Sequence, residues 1–138
     1  MVSVVEAFYD SNVLIAYLFG EEERFEVARK ILEKHKSRAT SIMAIHEIHV
    51  YSLKYGAEKK FLEIKEALNR IFKVMPLTQE VCIRASYLRM EYGLPEVDSL
   101  ILATAVEAKC KDFYTFDKDF ERLDERTIEE TIVHYIKL

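Results

Sequence analysis

The sequence predicts an α/β fold, a short parallel sheet of about four to five strands sandwiched by helices. Three observations predict it. Short β-branched and aromatic runs alternate with helical apolar periodicities along the chain. No linker, repeat or low-complexity segment breaks the alternation, so residues 1–138 read as one domain. The first run, residues 4–9, is mostly apolar and stops at Asp10, the pattern of a buried parallel strand delivering an acid to its C-terminal end.

Taken in order, Val13-Leu14-Ile15-Ala16-Tyr17-Leu18-Phe19 begins a helix-compatible segment behind that strand. Glu21-Glu22-Glu23, followed by Phe25, Val27, Ala28, Ile31 and Leu32, reads as an amphipathic helix with acids in its first turn, where the helix dipole favours them. Residues 37–41 suit a small strand. Ile42, Ile45, Ile48, His49 and Leu53 recur mostly at three and four, and Gly56 is a plausible cap for that helix. A third helix is expected over 57–73, with Phe61, Ile64, Leu68, Ile71 and Phe72 on one face.

A brief strand over 74–77 is ended by Pro76, and Thr78 is a good N-cap for a helix whose apolar face includes Val81, Ile83, Ala85, Leu88 and Met90. Tyr92-Gly93 closes it. Residues 97–108 are apolar nearly all round, which marks a buried helix. A strand over 113–116 stops at Asp117, a short helix is expected over 118–123, and a last strand over 131–136.

Composition narrows the function classes. With 20 Lys and Arg against 24 Asp and Glu, the formal net charge is −4, so blanket attraction to phosphate is not expected. Any nucleic-acid contact must come from a local basic patch or through bound cations. Cys82 and Cys110 are too few for a disulfide scaffold or a cysteine zinc site; free, buried thiols in a reducing cytoplasm are the expectation. The start of the chain has no basic n-region of a signal peptide, and the uncharged run from Ser11 to Gly20 is too short to span a bilayer.

Four acids stand apart from the rest. Asp10 and Asp117 end strands, Glu47 sits within the helical pattern beside Ile45 and Ile48, and Asp98 lies in the first turn of the most apolar helix. Each has an ordinary reading: Asp10 and Asp117 as caps or turn residues, Asp98 as a helix-start acid. Together they point elsewhere. Carboxylates in an apolar setting are costly unless paired or bound to a cation. Lys118 is the one fixed cation in their motifs, so Mg²⁺ or Mn²⁺, hard ions that take oxygen ligands, is the expected cofactor. His46 and His49 flank Glu47 but are three apart, where a zinc-protease helix needs histidines four apart.

The motifs Asp10-Ser11-Asn12-Val13-Leu14-Ile15, Ser41 with Glu47, Asp98-Ser99-Leu100-Ile101-Leu102-Ala103-Thr104-Ala105 and Tyr114-Thr115-Phe116-Asp117-Lys118-Asp119-Phe120 together resemble those of the PIN-domain ribonucleases. The likeness is strongest to the VapC-type toxins of toxin–antitoxin pairs and runs from residue 4 to about residue 135. It implies a PIN-like fold and metal-dependent cleavage of single-stranded RNA or RNA loops. It also implies a homodimer, and a small antitoxin that covers the active-site groove.

Asp10, Glu47, Asp98 and Asp117 match the family's acidic quartet as catalytic, metal-holding residues. Ser11 and Thr115 match hydroxyl positions that orient the acids, Asn12 matches a polar position two after the first Asp, and Asp119 is an outer acid. Phosphodiester cleavage needs a nucleophile stronger than neutral water and relief of charge on the phosphorane, both of which divalent ions supply. Tyr17 and Tyr51 are candidates to stack on a base, and Lys54, Lys59, Lys60 and Arg89 to meet phosphate.

Two rivals compete with this reading. A haloacid-dehalogenase-type phosphatase would want a second Asp where Asn12 stands. A non-catalytic PIN-like RNA- or protein-binding module would keep the fold and lose acids, and none is lost here.

Overall fold

The computed structural model describes residues 5–138; part of the expected first strand, residue 4, lies outside them. Among the described residues six strands form one sheet in the order β3-β2-β1-β4-β6-β5. They are β1 (Ala7–Tyr9), β2 (Arg38–Ser41), β3 (Lys73–Met75), β4 (Asp112–Thr115), β5 (Thr127–Ile128) and β6 (Thr131–Tyr135). All neighbours are parallel except β5 and β6. The sheet is therefore mixed, and it has one strand more than expected.

The extra strand escaped the sequence pattern for a physical reason. β5 has two residues and joins β6 through Glu129-Glu130, where Glu129 takes the left-handed conformation at φ 57°. Hairpin turns of that kind usually announce themselves with Asn or Gly. Here a glutamate adopts it.

β1 is buried along its whole length and pairs with β2 and β4. Alternation sends its side chains to opposite faces. On one face Phe8 stacks on Phe113 with ring centres 5.7 Å apart, and on the other Tyr9 stacks on Tyr114 at 5.4 Å. The Phe8 face is covered by α5 (Gln79–Tyr92) and α6 (Glu96–Glu107), which contribute Val81, Ala85, Leu88, Ile101, Leu102 and Ala105. The Tyr9 face is covered by α1 (Ser11–Leu18), α2 (Phe25–Glu33), α3 (Met43–Lys54) and α4 (Phe61–Ile71), with Val13, Leu14, Ile31, Ile48 and Leu68 at its centre. Helices thus sandwich the sheet.

Several local expectations shift. Glu21, Glu22 and Glu23 precede α2 in a turn instead of occupying its first turn. The third helix is split: a 3₁₀ turn over Glu58–Lys60 leads into α4. In α5, Val81, Ala85 and Leu88 are buried, whereas Ile83 (60 % exposed) and Met90 (85 % exposed) point outward. Thr78 caps α5 by accepting from the Val81 N–H at 3.1 Å, and Gly93, at φ 67°, ends it in the left-handed conformation that glycine tolerates. Cys110 is buried but Cys82 is exposed. Among the described residues no helix is long and apolar enough to cross a membrane.

Candidate active site

The C-terminal ends of β1 and β4 lie side by side, joined by the Asp10 N–H donating to the Tyr114 carbonyl at 3.0 Å. The residues just past each strand build the site. Asp10 is the N-cap of α1: its carboxylate accepts the Ser11 N–H at 2.8 Å. The capping reading of Asp10 therefore holds, and the cap uses one of its two carboxylate oxygens. Asp10 is almost fully buried, and its other oxygen accepts the Thr115 hydroxyl at 2.9 Å.

Thr115, wholly buried at the end of β4, is the hub of the neighbouring bonds. Its oxygen also accepts the Asp117 N–H at 2.9 Å. Asn12 closes the arrangement. Its carbonyl accepts the Phe116 N–H at 3.1 Å, while its amide reaches Asp10 and Thr115 at 3.4 Å. One residue of α1 thus fixes the exit of β4 against the exit of β1. Asp117 then caps the 3₁₀ turn over Lys118–Leu123, accepting the Asp119 N–H at 2.9 Å.

Glu47 arrives from the first half of α3 and is held by the Ser11 hydroxyl, which donates to it at 2.6 Å. Asp98 comes from the first turn of α6. Carboxylate oxygens of Asp98, Asp117 and Asp119 lie within 4.8 Å of one another. Asp119, expected as an outer acid, thus joins the tightest group. The tight Asp117-Lys118-Asp119 turn folds the two acids to one side, a consequence of capping geometry that spacing alone does not reveal.

The electrostatics result from this crowding. Burial pushes the Asp10 carboxyl up to about 7; the Thr115 and Ser11 hydrogen bonds oppose that, and the charges of Glu47 and Asp117 reinforce it. Asp98 is pushed up to about 8, first by burial and then by Asp117, Asp10 and Asp119. None of the salt bridges among the described residues involves any of the five acids. A cluster of oxygen donors in which Asp10 and Asp98 resist ionisation, with no ion-paired lysine or arginine among the described residues, suits a hard divalent cation. The residues present fit that group.

The flanking histidines do not form a metal pair around Glu47. His49 packs its ring on Phe61, with centres 4.3 Å apart, and His46 is exposed. Arg89, a candidate for phosphate, donates instead to the Leu94 carbonyl at 3.3 Å.

A family model described as the PIN domain matches residues 7–126. The chain belongs to the PIN domain family. It is similar to ribonuclease VapC2 of Methanocaldococcus jannaschii, 26 % identical over 131 residues, covering 85 % of this chain and 88 % of the relative. Among solved structures, a toxin–antitoxin complex from Klebsiella pneumoniae is 29 % identical with a TM-score of 0.73, covering 95 % of this chain and 100 % of that one. The DNA-bound VapBC of Salmonella typhimurium matches in fold, with a TM-score of 0.72 at 16 % identity over 96 % of this chain and 98 % of that one. In this PIN chain the match begins at the first residue of β1 and takes in all five acids.

Proposed function

We propose that the chain is a divalent-metal-dependent endoribonuclease and the toxin half of a toxin–antitoxin pair. The observation that carries the reading is the convergence of Asp10, Glu47, Asp98, Asp117 and Asp119, with no ion-paired basic side chain among the described residues, at the C-terminal ends of β1 and β4. The similarity to a ribonuclease and to toxin–antitoxin complexes supports it.

Asp98, Asp117 and Asp119, with Asp10 behind them, would hold Mg²⁺ or Mn²⁺. When bound, the ion supplies charge neutralisation at phosphate oxygens and a water acidic enough to act as nucleophile. The chain's own residues do the positioning. Thr115 holds Asp10 in one rotamer and Asp117 in one backbone position through a single oxygen. Ser11 holds Glu47 toward the same crevice. Asn12 prevents the two strand exits from separating. Such supporting groups set where carboxylates point, and so where a phosphate must sit.

A second copy of the chain and a small antitoxin belong to the same reading. Ile83, Tyr87 and Met90 lie exposed at helical spacing on α5 and offer an apolar seam for a dimer.

The test is cleavage of end-labelled structured RNA by the purified chain with Mg²⁺, with Mn²⁺ and with chelator. Cutting with either ion, its loss in chelator and its loss in Asp10→Asn are the expected outcome. Binding without cutting under all conditions would favour a non-catalytic module. Co-purification with the product of an adjoining short reading frame tests the toxin role.

A further inference from the structure

The wall of the crevice formed by Glu47 continues along α3. Glu47, Val50, Tyr51, Lys54 and Tyr55 recur at spacings of three and four, so they share one helix face over two turns, about 12 Å. With Ile15 of α1 and His46 they line a cavity of about 350 Å³, of which Glu47 is the one acid in the wall. Its aromatic side is a ladder. Phe19, Tyr51 and Tyr55 contact in series with ring centres 4.6 and 4.5 Å apart, and Tyr55 at the outer end is 62 % exposed. The Lys54 ammonium sits 5.6 Å from the centre of the Tyr55 ring. A large exposed aromatic held by other rings and accompanied by a cation is not explained by core packing.

We propose that this face is a nucleotide subsite, in which one unstacked base of single-stranded RNA lies on Tyr55 and Lys54 meets a flanking phosphate. The identity of the strand rests on the ribonuclease reading of the acid cluster. Two features favour RNA over a partner helix. The face runs acid, apolar and aromatic, then cation and aromatic, where a helix-binding groove would present apolar side chains at every turn. It is also continuous with the acids through Glu47, so a strand whose phosphate reaches them extends over it. Stacking on an aromatic ring with a cation nearby is how sequence-tolerant single-strand sites obtain affinity.

The test measures binding and does not depend on cutting. In an Asp10→Asn background with Mg²⁺, a fluorescein-labelled eight-nucleotide single-stranded RNA is titrated and monitored by anisotropy. Tyr55→Leu, at an exposed position just after α3, should weaken binding about 5- to 50-fold. Tyr55→Phe, which keeps the ring, should bind within about twofold of the background, and matching circular dichroism and melting temperatures check the fold. The same RNA made abasic throughout should show no penalty from Tyr55→Leu.

Equal binding by Tyr55→Leu and the background overturns the subsite, as does an equal penalty on the abasic strand or no RNA binding at all. A Tyr55→Leu variant that binds RNA normally but loses its co-purifying partner protein also overturns it and assigns the face to that partner. Cleavage by the unsubstituted chain is measured separately. A Tyr55-dependent affinity without cleavage keeps the subsite and removes the nuclease reading, and cleavage without that dependence does the reverse.

Discussion

The two ends of the central strands carry acids of opposite fate. At the N-terminal end, Asp112 opens β4 and Glu6 precedes β1. There His134 Nε2 lies 2.7 Å from the Asp112 carboxylate, and His35 lies 3.2 Å from Glu6 and 3.9 Å from Asp112. His35 Nε2, the nitrogen on the Asp112 side, also meets the Tyr114 hydroxyl at 2.7 Å. Each acid has an imidazole, and the network ties β1, β4, β6 and the end of α2 together. At the C-terminal end, acids from the same strands and from α3 and α6 meet one another with only hydroxyl and amide donors between them. One end uses its carboxylates to hold the sheet. The other leaves them without a basic partner among the described residues, which costs stability and is where the proposed cation would bind.

That contrast can be broken at either end. The largest effect is expected from Asp10→Asn or Asp98→Asn, each lowering metal-dependent RNA cleavage more than about 100-fold while the fold persists. Gel assays of labelled RNA measure it. Thr115→Val, which keeps the shape and removes the shared hydroxyl, should cost about 10- to 100-fold in the same assay. Asp112→Ala should leave cleavage unchanged and lower unfolding free energy by about 1–3 kcal/mol in urea titrations, because it takes the 2.7 Å partner from His134. A loss of activity there equal to that of Thr115→Val would erase the distinction between the ends.

Acidity sharpens the comparison further. Asp10 and Asp98, at about 7 and about 8, keep protons in the folded metal-free chain at pH values where the unfolded chain has released them. Their contribution to stability is therefore largest near pH 4 and falls as pH rises toward 8. In chelator, Asp98→Asn should flatten this fall and raise the melting temperature at pH 8 by about 3–8 °C. Added Mg²⁺ should do the same for the unsubstituted chain. The smallest effect is expected at Arg29, whose bonds to Glu26 and Glu33 lie on the exposed face of α2: Arg29→Ala should change stability by less than about 0.5 kcal/mol.

The order of elements was legible because apolar periodicity reports burial directly. The all-round apolar run of α6 and the caps Thr78 and Gly93 stand where the pattern put them. The hidden features depend on contacts between distant segments. Ile83 and Met90 sit among apolar residues in sequence, but the fully buried apolar residues of α5 are Val81, Ala85 and Leu88. At the site, residue type and position at strand ends pointed to Asp10 and Asp117. The inward turn of Asp119 and the bridging amide of Asn12 become visible only when β1 and β4 lie next to each other.

The rims of the sheet have a consequence for how the molecule associates. On one side the two-residue β5 folds back antiparallel over β6. On the other, β3 is three residues long, begins at Lys73 and leads directly into Pro76, which has no N–H to offer. Neither margin presents a long run of free backbone groups to a foreign chain, so growth of the sheet across molecules is blocked from both sides. A partner protein that docks here must therefore do so without adding a strand, through side-chain contacts with the helical flanks.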